Sequence, residues 1–358
     1  MDLDKIDPPM LPPGTDPDDL ENLIATYYYS CREVSQFCPV EATTLGYYPN
    51  RGINIFFAIG YGIAMVVTLV FGLWKKTWSY TAFLAAGCAL ELAGYAARIP
   101  LTDNPWNNQA FETQIVAIIL APTLVCISVY LTLKHLCLAV NPALSRVRPH
   151  LYPFVFVPLD VSCLCVQAIG GALAASGARS NFAIVQHGNR AILAGIVLQV
   201  VVLLFFGSAA GDYYLRVRKW IKSGEAAAEA LALWNDKKLR MFVYAVAGAY
   251  SGILIRCIYR IAEMAGGWGN PIMQDEPSFI VLEGFMVLIP CILLAVFPPG
   301  ILFPQMAARM SASGPMRQDG NAQDPEKHVQ PDGQGGGEQE KEGARPGLGK
   351  GQAKEVEA

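Results

Sequence analysis

The sequence predicts an all-α, polytopic membrane protein built as a bundle of seven transmembrane helices. Of its 358 residues, 53% are hydrophobic and only 16% are charged, whereas soluble domains carry about 25% charged residues. The charges gather at the two ends of the chain, so the middle is more apolar still. This composition excludes an ordinary soluble enzyme. The net charge of −3 argues against a nucleic-acid partner, because there is no dense basic face to neutralise phosphates.

Apolar segments of the middle region are long enough to cross a bilayer, which takes about 20 helical residues. They cover residues 53–74, 78–98, 114–137, 151–175, 189–210, 239–262 and 278–301. We number them as spans 1 to 7. No apolar run precedes residue 52, so we expect no cleavable secretory signal. The expected organisation is an acidic extracellular tail over 1–50, a membrane domain over 51–305 and a disordered cytoplasmic tail over 306–358, whose composition lacks large apolar residues.

The distribution of Lys and Arg predicts the orientation, since positively charged links stay in the cytoplasm. With the N-terminus outside, the cytoplasmic links contain Lys75, Lys76, Arg146, Arg148, Arg216, Arg218, Lys219, Lys222, Lys237, Lys238 and Arg240. The outer links and their edges contain only Arg51, Arg98, Arg179 and Arg190. The sequence therefore predicts an outer N-terminus and a cytoplasmic C-terminus in an integral membrane protein.

Cys31 and Cys38 differ from the other cysteines because they lie outside the apolar spans, in the expected outer tail. An oxidising compartment would let them close a small disulfide loop, and two free thiols are the alternative. The remaining cysteines fall in or at the ends of spans, where thiols pack as small apolar residues.

Polar and ionisable side chains inside the spans recur at helical spacing. Such groups are costly in a bilayer and face a bundle interior or a water-filled cavity. The polar residues of span 2 are spaced at i, i+4 and i+7, and those of span 6 at i, i+3, i+4 and i+7. The polar residues of each span therefore lie on one face of the helix. The full set is Glu91, Tyr95, Arg98, Gln114, Asp160, Gln167, Gln199, Arg256, Tyr259, Arg260, Glu263 and Glu283.

The predicted depths of these side chains suggest a polar cavity that opens outward and narrows towards the midplane. At about 1.5 Å per residue, the ionisable groups of spans 2, 6 and 7 lie in the outer half, and Asp160, Gln167 and Gln199 lie nearer the middle. Three positive and four negative groups nearly balance, so we expect Glu91 or Glu283 to pair with an arginine of span 6. The alternative is that the network only fixes helix packing.

Several of these residues form motifs that resemble a known family. Glu91-Leu-Ala-Gly94-Tyr95-Ala-Ala-Arg98 resembles the E-x-x-G-Y-x-x-R signature of the fungal RTA-like, lipid-translocating exporters. Further motifs of that family follow in the same order, with Gln114, Ala121-Pro122, Tyr130, Asp160, Gln167, Gly170-Gly171, Gly195, Gln199 and Arg256-x-x-Tyr259-Arg260-x-x-Glu263. The resemblance covers residues 48–300, with two departures: Pro298-Pro299-Gly300 replaces His-Pro-Gly, and Glu283 replaces an Asp.

The resemblance implies a seven-helix exporter that moves sphingoid bases or related amphiphiles across the plasma membrane and confers resistance to amphiphilic toxins. Its expected partners are the lipid bilayer and a membrane lipid or an amphiphilic small molecule. A cationic sphingoid base would need a carboxylate for its ammonium group, which Glu91, Glu283 or Asp160 could supply. No phosphate-binding P-loop pattern is present, so ATP hydrolysis by this chain does not drive transport.

Two other functions fit a seven-helix protein. The main alternative is a receptor or sensor for a lipid or toxin, although the cytoplasmic end of span 3 reads Lys134-His135-Leu136-Cys137 and lacks a receptor-type D/E-R-Y motif. A retinal protein is excluded because span 7 contains no lysine. We expect no enzymatic activity, cofactor or metal, because the histidines (His135, His150, His187 and His328) are too dispersed to meet in one site. The oligomeric state is left open.

Overall fold

Seven membrane-length helices form the protein in the computed structural model, which describes residue 28 and residues 31–177, 182–224 and 228–299. They are α1 (Arg51–Lys75), α2 (Trp78–Arg98), α3 (Asn108–Val140), α4 (Leu151–Gly177), α5 (Phe182–Lys222), α6 (Lys237–Ala265) and α7 (Glu276–Val296). A short helix, Ala228–Asn235, connects α5 to α6. The predicted seven-helix, integral multi-pass membrane protein is confirmed. The predicted tail over 306–358 lies outside the described residues.

Side-chain caps set where several of these helices begin. Asn50, Asn107 and Asp236 each accept hydrogen bonds from backbone N–H groups in the first turn of α1, α3 and α6, which satisfies donors that have no partner within the helix. Helix α1 ends at Lys75 and is followed by Lys76, whose backbone is left-handed with φ of 57°. That conformation reverses the chain, and α2 begins two residues later.

Three helices differ in extent from the predicted spans. Helices α3 and α5 extend beyond the predicted 114–137 and 189–210, because polar residues outside the apolar stretch continue the helix. In α5, for example, Arg216 Nε lies 2.9 Å from Asp212 Oδ2 one turn earlier, a pairing that supports helix. Helix α7 ends at Val296 rather than at 301, because Pro298-Pro299 follow and a residue before proline disfavours helical backbone.

The helices form a closed ring in which each packs on the next and α7 returns to α1. Helix α3 is the most buried of the seven and also contacts α6 on the opposite side. The outward faces are apolar, as a lipid environment requires. On α1, for instance, a stripe of exposed side chains consists of Phe56, Ile59, Ile63, Val66, Val70 and Leu73.

Glycines allow α4 and α5 to approach closely. A Cβ atom placed on Gly188 of α5 would lie 2.5 Å from the backbone nitrogen of Ala174 and 2.6 Å from the carbonyl oxygen of Gly170, both in α4. A side chain at this position would therefore push the two backbones apart. Close contact through small residues is a common way to join helices in membranes, where apolar burial gives little driving force.

We expect Gly188→Ala to destabilise the protein by about 1–3 kcal/mol, the usual cost of forcing extra atoms into a packed interface. Gly171→Ala is the matched control, because a Cβ atom there meets nothing within 4 Å. Both changes improve helix propensity equally. A lower melting temperature in detergent for Gly188→Ala alone is the expected result, and equal melting temperatures for the two variants would contradict it.

Residues 31–50 cover the end of the bundle at which α1 begins, here named the amino face. Cys31 and Cys38 are joined by a disulfide in the structure. The indole nitrogen of Trp106, in the α2–α3 link, donates to the carbonyl of Cys38 at 3.2 Å, and Asn104 donates to the carbonyl of Arg32 at 2.7 Å. This part of the predicted outer tail is thus packed against the α2–α3 link.

Candidate functional site

Six ionisable side chains are buried inside the bundle near the amino face, and we call them the ionic cluster. None is more than 4% exposed. They belong to α2, α6 and α7 and carry three positive and three negative formal charges. The members are Glu91, Arg98, Arg256, Arg260, Glu263 and Glu283. Because the set is balanced, the bundle can hold it without a net buried charge.

Arg256 is the centre of this cluster. Its Nε and Nη2 atoms donate to Glu283 Oε1 at 2.8 and 2.5 Å, and Nη2 also donates to the carbonyl of Ile118 in α3 at 2.9 Å. One side chain therefore connects α6 with α7 and α3. The predicted pairing of Glu91 or Glu283 with an arginine of span 6 is confirmed for Glu283.

A π-helical segment, Phe279–Phe285, presents Glu283 to this arginine. π-Helical turns within α-helices occur frequently at functional sites. The hydroxyl of Tyr61 in α1 donates to the carbonyl of Gly284 at 3.0 Å. A Cβ atom on Gly284 would lie 2.3 Å from the ring of Phe57, so this glycine lets α7 approach α1 closely.

Glu91 is buried without an ion-pair partner. It is 1% exposed, its Oε1 atom has no hydrogen-bond partner, and no Lys or Arg nitrogen of the described residues lies within 4 Å of its carboxylate. Aromatic rings surround the same face of α2: Tyr95 stacks on Tyr61 with ring centroids 5.5 Å apart.

The rest of the cluster lies closer to the amino face. Arg260 Nη1 lies 2.5 Å from Glu263 Oε2 on the same helix. Arg98 donates to the hydroxyl of Tyr47 at 2.5 Å and lies 4.1 Å from the centre of the Phe279 ring, a favourable cation–π contact. Burial raises the pKa of Tyr47, although the charge of Arg98 acts in the opposite direction.

A small cavity lies among these groups. Its lining consists of Leu45, Arg98, Phe111, Gln114, Ile115, Ile118, Arg260, Glu263, Met273 and Phe279. Its volume is about 10 Å³, close to the smallest volume that holds one water. Ion pairs and aromatic rings fill much of the space between the helices in this conformation, and the outward-opening cavity stays a prediction.

The remaining predicted residues form a second, deeper set of contacts. Gln167 donates to Gln199 at 3.1 Å, and Gln199 donates to the hydroxyl of Thr123 at 3.0 Å, which links α4, α5 and α3. The hydroxyl of Tyr130 donates to Asp160 Oδ2 at 2.7 Å. Gln114 and Tyr259 lie instead with the ionic cluster, where Gln114 Oε1 and the Tyr259 hydroxyl have no hydrogen-bond partner.

The predicted site residues omit five side chains that make these contacts: Tyr47, Tyr61, Thr123, Tyr130 and Phe279. Tyr130 belongs to one of the family motifs, which is a signal for it in the sequence. The other four have no signal in the sequence, because a single Tyr, Thr or Phe near the end or inside of an apolar span is unremarkable.

The seven apolar helices and the balanced ionic cluster define a multi-pass membrane protein with a group of buried charges in its interior. A family model described as RTA1 like protein matches residues 84–306, and the chain belongs to this family, as the motifs predict. The sphingoid long-chain base transporter RSB1 of Saccharomyces cerevisiae is 26% identical over 283 residues, which cover 72% of this chain and 74% of the yeast protein.

Two further yeast proteins are similar over a shorter range. Protein RTA1 is 25% identical over 214 residues, covering 59% of this chain and 63% of its own length. Protein RTM1 is 26% identical over 226 residues, covering 62% and 68%. No solved structure matches the chain.

Proposed function

We propose that this protein moves sphingoid long-chain bases, or closely related cationic amphiphiles, across a membrane and so protects the cell from them. The yeast relative that is named a sphingoid long-chain base transporter supports this proposal, since the similarity extends over most of both chains. We also infer that the chain acts as a transporter rather than as an enzyme. Its partners in this view are the bilayer and the amphiphile itself.

The observation that carries the proposal is the unpaired carboxylate of Glu91. An ionised carboxylate in a site of low polarity is costly unless a cation compensates it. A sphingoid base brings an ammonium group, which has three N–H donors and no acceptor. Glu91 Oε1 and Glu283 Oε2 are both buried acceptors without a partner, so one ammonium group could bind both while Arg256 keeps its bonds to Glu283 Oε1.

In this proposal the described conformation is a closed state of the transporter. The cavity holds about one water, so a head group enters only when the cover at the amino face moves away. The moving part in this proposal is the π-helical segment that carries Glu283, because π-helical turns occur frequently at functional sites. The apolar walls around the cluster, such as Phe111, Ile115 and Ile118, would receive the hydrocarbon chain.

Export by intact cells tests the proposal. The chain is expressed in a yeast strain from which the endogenous relative is deleted, and the release of radiolabelled dihydrosphingosine is measured. We expect faster release and better growth on sphingoid bases than with an empty vector. Unchanged release from cells in which the protein reaches the plasma membrane would overturn the proposal. Saturable binding by the purified protein without any release would instead favour the sensor alternative.

We further propose that the protein lies in the plasma membrane with its N-terminus outside. The excess of Lys and Arg in the links at the other end of the bundle supports this orientation, and so does the Cys31–Cys38 disulfide at the amino face, since disulfides persist in oxidising compartments.

Protease protection tests the orientation. We expect protease added to intact spheroplasts to remove an epitope tag fused to the N-terminus and to leave a C-terminal tag intact until the cells are lysed. The opposite pattern would reverse the assignment of the amino face to the outside.

A further inference from the structure

Asp160 of α4 is a buried carboxyl group that the proposed function leaves without a role. It is 0% exposed, its Oδ2 atom accepts from the hydroxyl of Tyr130 at 2.7 Å, and its Oδ1 atom has no hydrogen-bond partner. No Lys, Arg or His nitrogen of the described residues lies within 4 Å of either oxygen. One neutral hydrogen bond replaces little of the hydration that an ionised carboxylate loses on burial, so the ionised form is costly here.

The groups around Asp160 carry no charge that offsets this cost. Its titratable neighbours are a phenol and three thiols, namely Tyr130 and Cys126 of α3, Cys163 of α4 and Cys257 of α6. Helix α5 contributes the ring of Phe206, whose centroid lies 4.4 Å from that of Tyr130. A carboxyl group in such surroundings holds its proton until a positive charge arrives nearby.

A proton on Asp160 makes the buried charges of the bundle balance. Within the described part of the chain, Asp160 is the one buried carboxyl group outside the ionic cluster, and the cluster itself has three positive and three negative groups. Ionised Asp160 therefore leaves an interior with a net negative charge, whereas protonated Asp160 leaves it neutral. A net charge in a medium of low polarity is the costlier state, so we expect Asp160 to be protonated while no cation is bound.

A bound cation reverses this balance. An ammonium group held by Glu91 and Glu283 adds one positive charge to the cluster, and the interior becomes neutral again when Asp160 loses its proton. The O–H bond of the carboxyl group breaks, the proton leaves to water, and the ligand replaces its positive charge. By linkage, an Asp160 carboxylate favours the bound cation by the same factor.

Helix α3 connects the ionic cluster with this carboxyl group. The carbonyl of Ile118 accepts from Arg256 of the cluster at 2.9 Å, and Tyr130 lies further along the same helix, at about 18 Å for a rise of about 1.5 Å per residue. Charge acts over this distance because the interior screens it less than water does. Pro122 lies between the two contacts in α3, and Pro158 lies two residues before the carboxyl group in α4. Each proline removes a backbone donor from its helix, so both helices have a weakened turn at which they can adjust.

We propose that Asp160 is a proton-binding site linked to the ionic cluster, so that the protein releases one proton for each cationic amphiphile that it binds. Oδ1 holds the proton, since Oδ2 already accepts from Tyr130. This inference rests on the proposed function and supplies its energy source. The proton is released to the cytoplasm when the base binds there and is taken up from outside when the base leaves, so a proton gradient directed inward drives export.

The pH dependence of binding tests this linkage. Purified full-length protein in nanodiscs is titrated with dihydrosphingosine over a pH range in which the amine stays protonated, and empty nanodiscs correct for partition into lipid. Because binding releases a proton, we expect the wild-type affinity to rise about tenfold for each unit of pH increase over part of that range. Asp160→Asn has no proton to release but keeps an oxygen for Tyr130, so its affinity should not change with pH. Asp103→Asn, the same change at a side chain that is 73% exposed, should keep the wild-type dependence.

Infrared difference spectra give a second measurement, which needs no variant. The carbonyl stretch of a protonated carboxyl group is distinct from the bands of a carboxylate. Adding dihydrosphingosine to the wild type should remove signal of a protonated carboxyl group and add carboxylate signal, and neither change should occur in Asp160→Asn. If Asp160→Asn does not fold, the wild-type spectra decide alone, and an unchanged signal of the protonated group would overturn the proposal.

The outcomes separate the proton site from the transport proposal. A wild-type affinity that does not change with pH, or a pH dependence that survives Asp160→Asn, would overturn the proton site while leaving transport standing. Absence of binding of the base at every pH would overturn it as well. Proton-linked binding that Asp160→Asn abolishes supports the site even if vesicle assays detect no transfer, in which case only the transport proposal fails.

Discussion

Arg256→Gln is expected to destabilise the protein by about 3–5 kcal/mol, the usual cost of breaking a buried ion pair by removing one partner. Arg256 joins α6 to Glu283 in α7 and to the carbonyl of Ile118 in α3. Without it, Glu283 and the nearby Glu91 are two buried carboxylates that have lost their closest counter-charge. The melting temperature of the purified protein in detergent should fall steeply.

Arg216→Gln is the matched control for this change. Arg216 also pairs with a carboxylate, Asp212, but the two side chains are 41% and 37% exposed, and pairs open to water contribute about 1 kcal/mol or less. We expect little change for this variant. Similar losses of stability for Arg216→Gln and Arg256→Gln would contradict this expectation, because burial would then make no difference to how much an ion pair stabilises the protein.

Glu91→Gln is expected to reduce the transport of sphingoid bases by about thirtyfold or more. This factor corresponds to about 2 kcal/mol of lost binding free energy. Losing one partner of a buried charge pair costs at least about that much. The amide has nearly the shape of the carboxylate and no charge, so the melting temperature should not fall. Radiolabelled base released from cells measures the effect at equal surface expression.

Glu112→Gln provides the control for Glu91→Gln, because Glu112 is exposed near the start of α3 and undergoes the same chemical change. It should transport at the wild-type rate. Wild-type transport by Glu91→Gln would show that this carboxylate does not hold the ammonium group. A folding defect in Glu91→Gln would show instead that it is a structural partner that the contacts in this conformation do not reveal.

The helices and their buried faces could largely be predicted from the sequence. Long apolar stretches specify membrane helices almost by themselves, since every backbone polar group must be satisfied within the bilayer. Helical spacing alone put Glu91, Tyr95 and Arg98 on one face of α2, and all three are buried. The same holds for Arg256, Tyr259, Arg260 and Glu263 in α6.

Pairings between distant segments could not be predicted in detail. Spacing along a helix does not say which carboxylate an arginine meets, and the choice of Glu283 over Glu91 depends on the π-helical segment of α7. Tyr47 and Phe279 contact Arg98 from two segments far from it in sequence. The size of the cavity was also beyond prediction, because depth in the membrane does not reveal how completely side chains fill the interior.

The central claim is that the ionic cluster binds the head group of the transported base. Its most direct test measures the transfer of a fluorescent sphingoid base between the leaflets of vesicles that contain either the wild type or the double variant Arg256→Gln/Glu283→Gln. The double change removes the central ion pair without leaving an isolated charge from it, so it should recover most of the stability that Arg256→Gln loses. If the ionic cluster binds the head group, this stable variant should transfer the base no faster than protein-free vesicles. A stable double variant with wild-type transfer would show that the cluster only packs the helices, and the binding site would then have to lie deeper, at Asp160, Gln167 and Gln199.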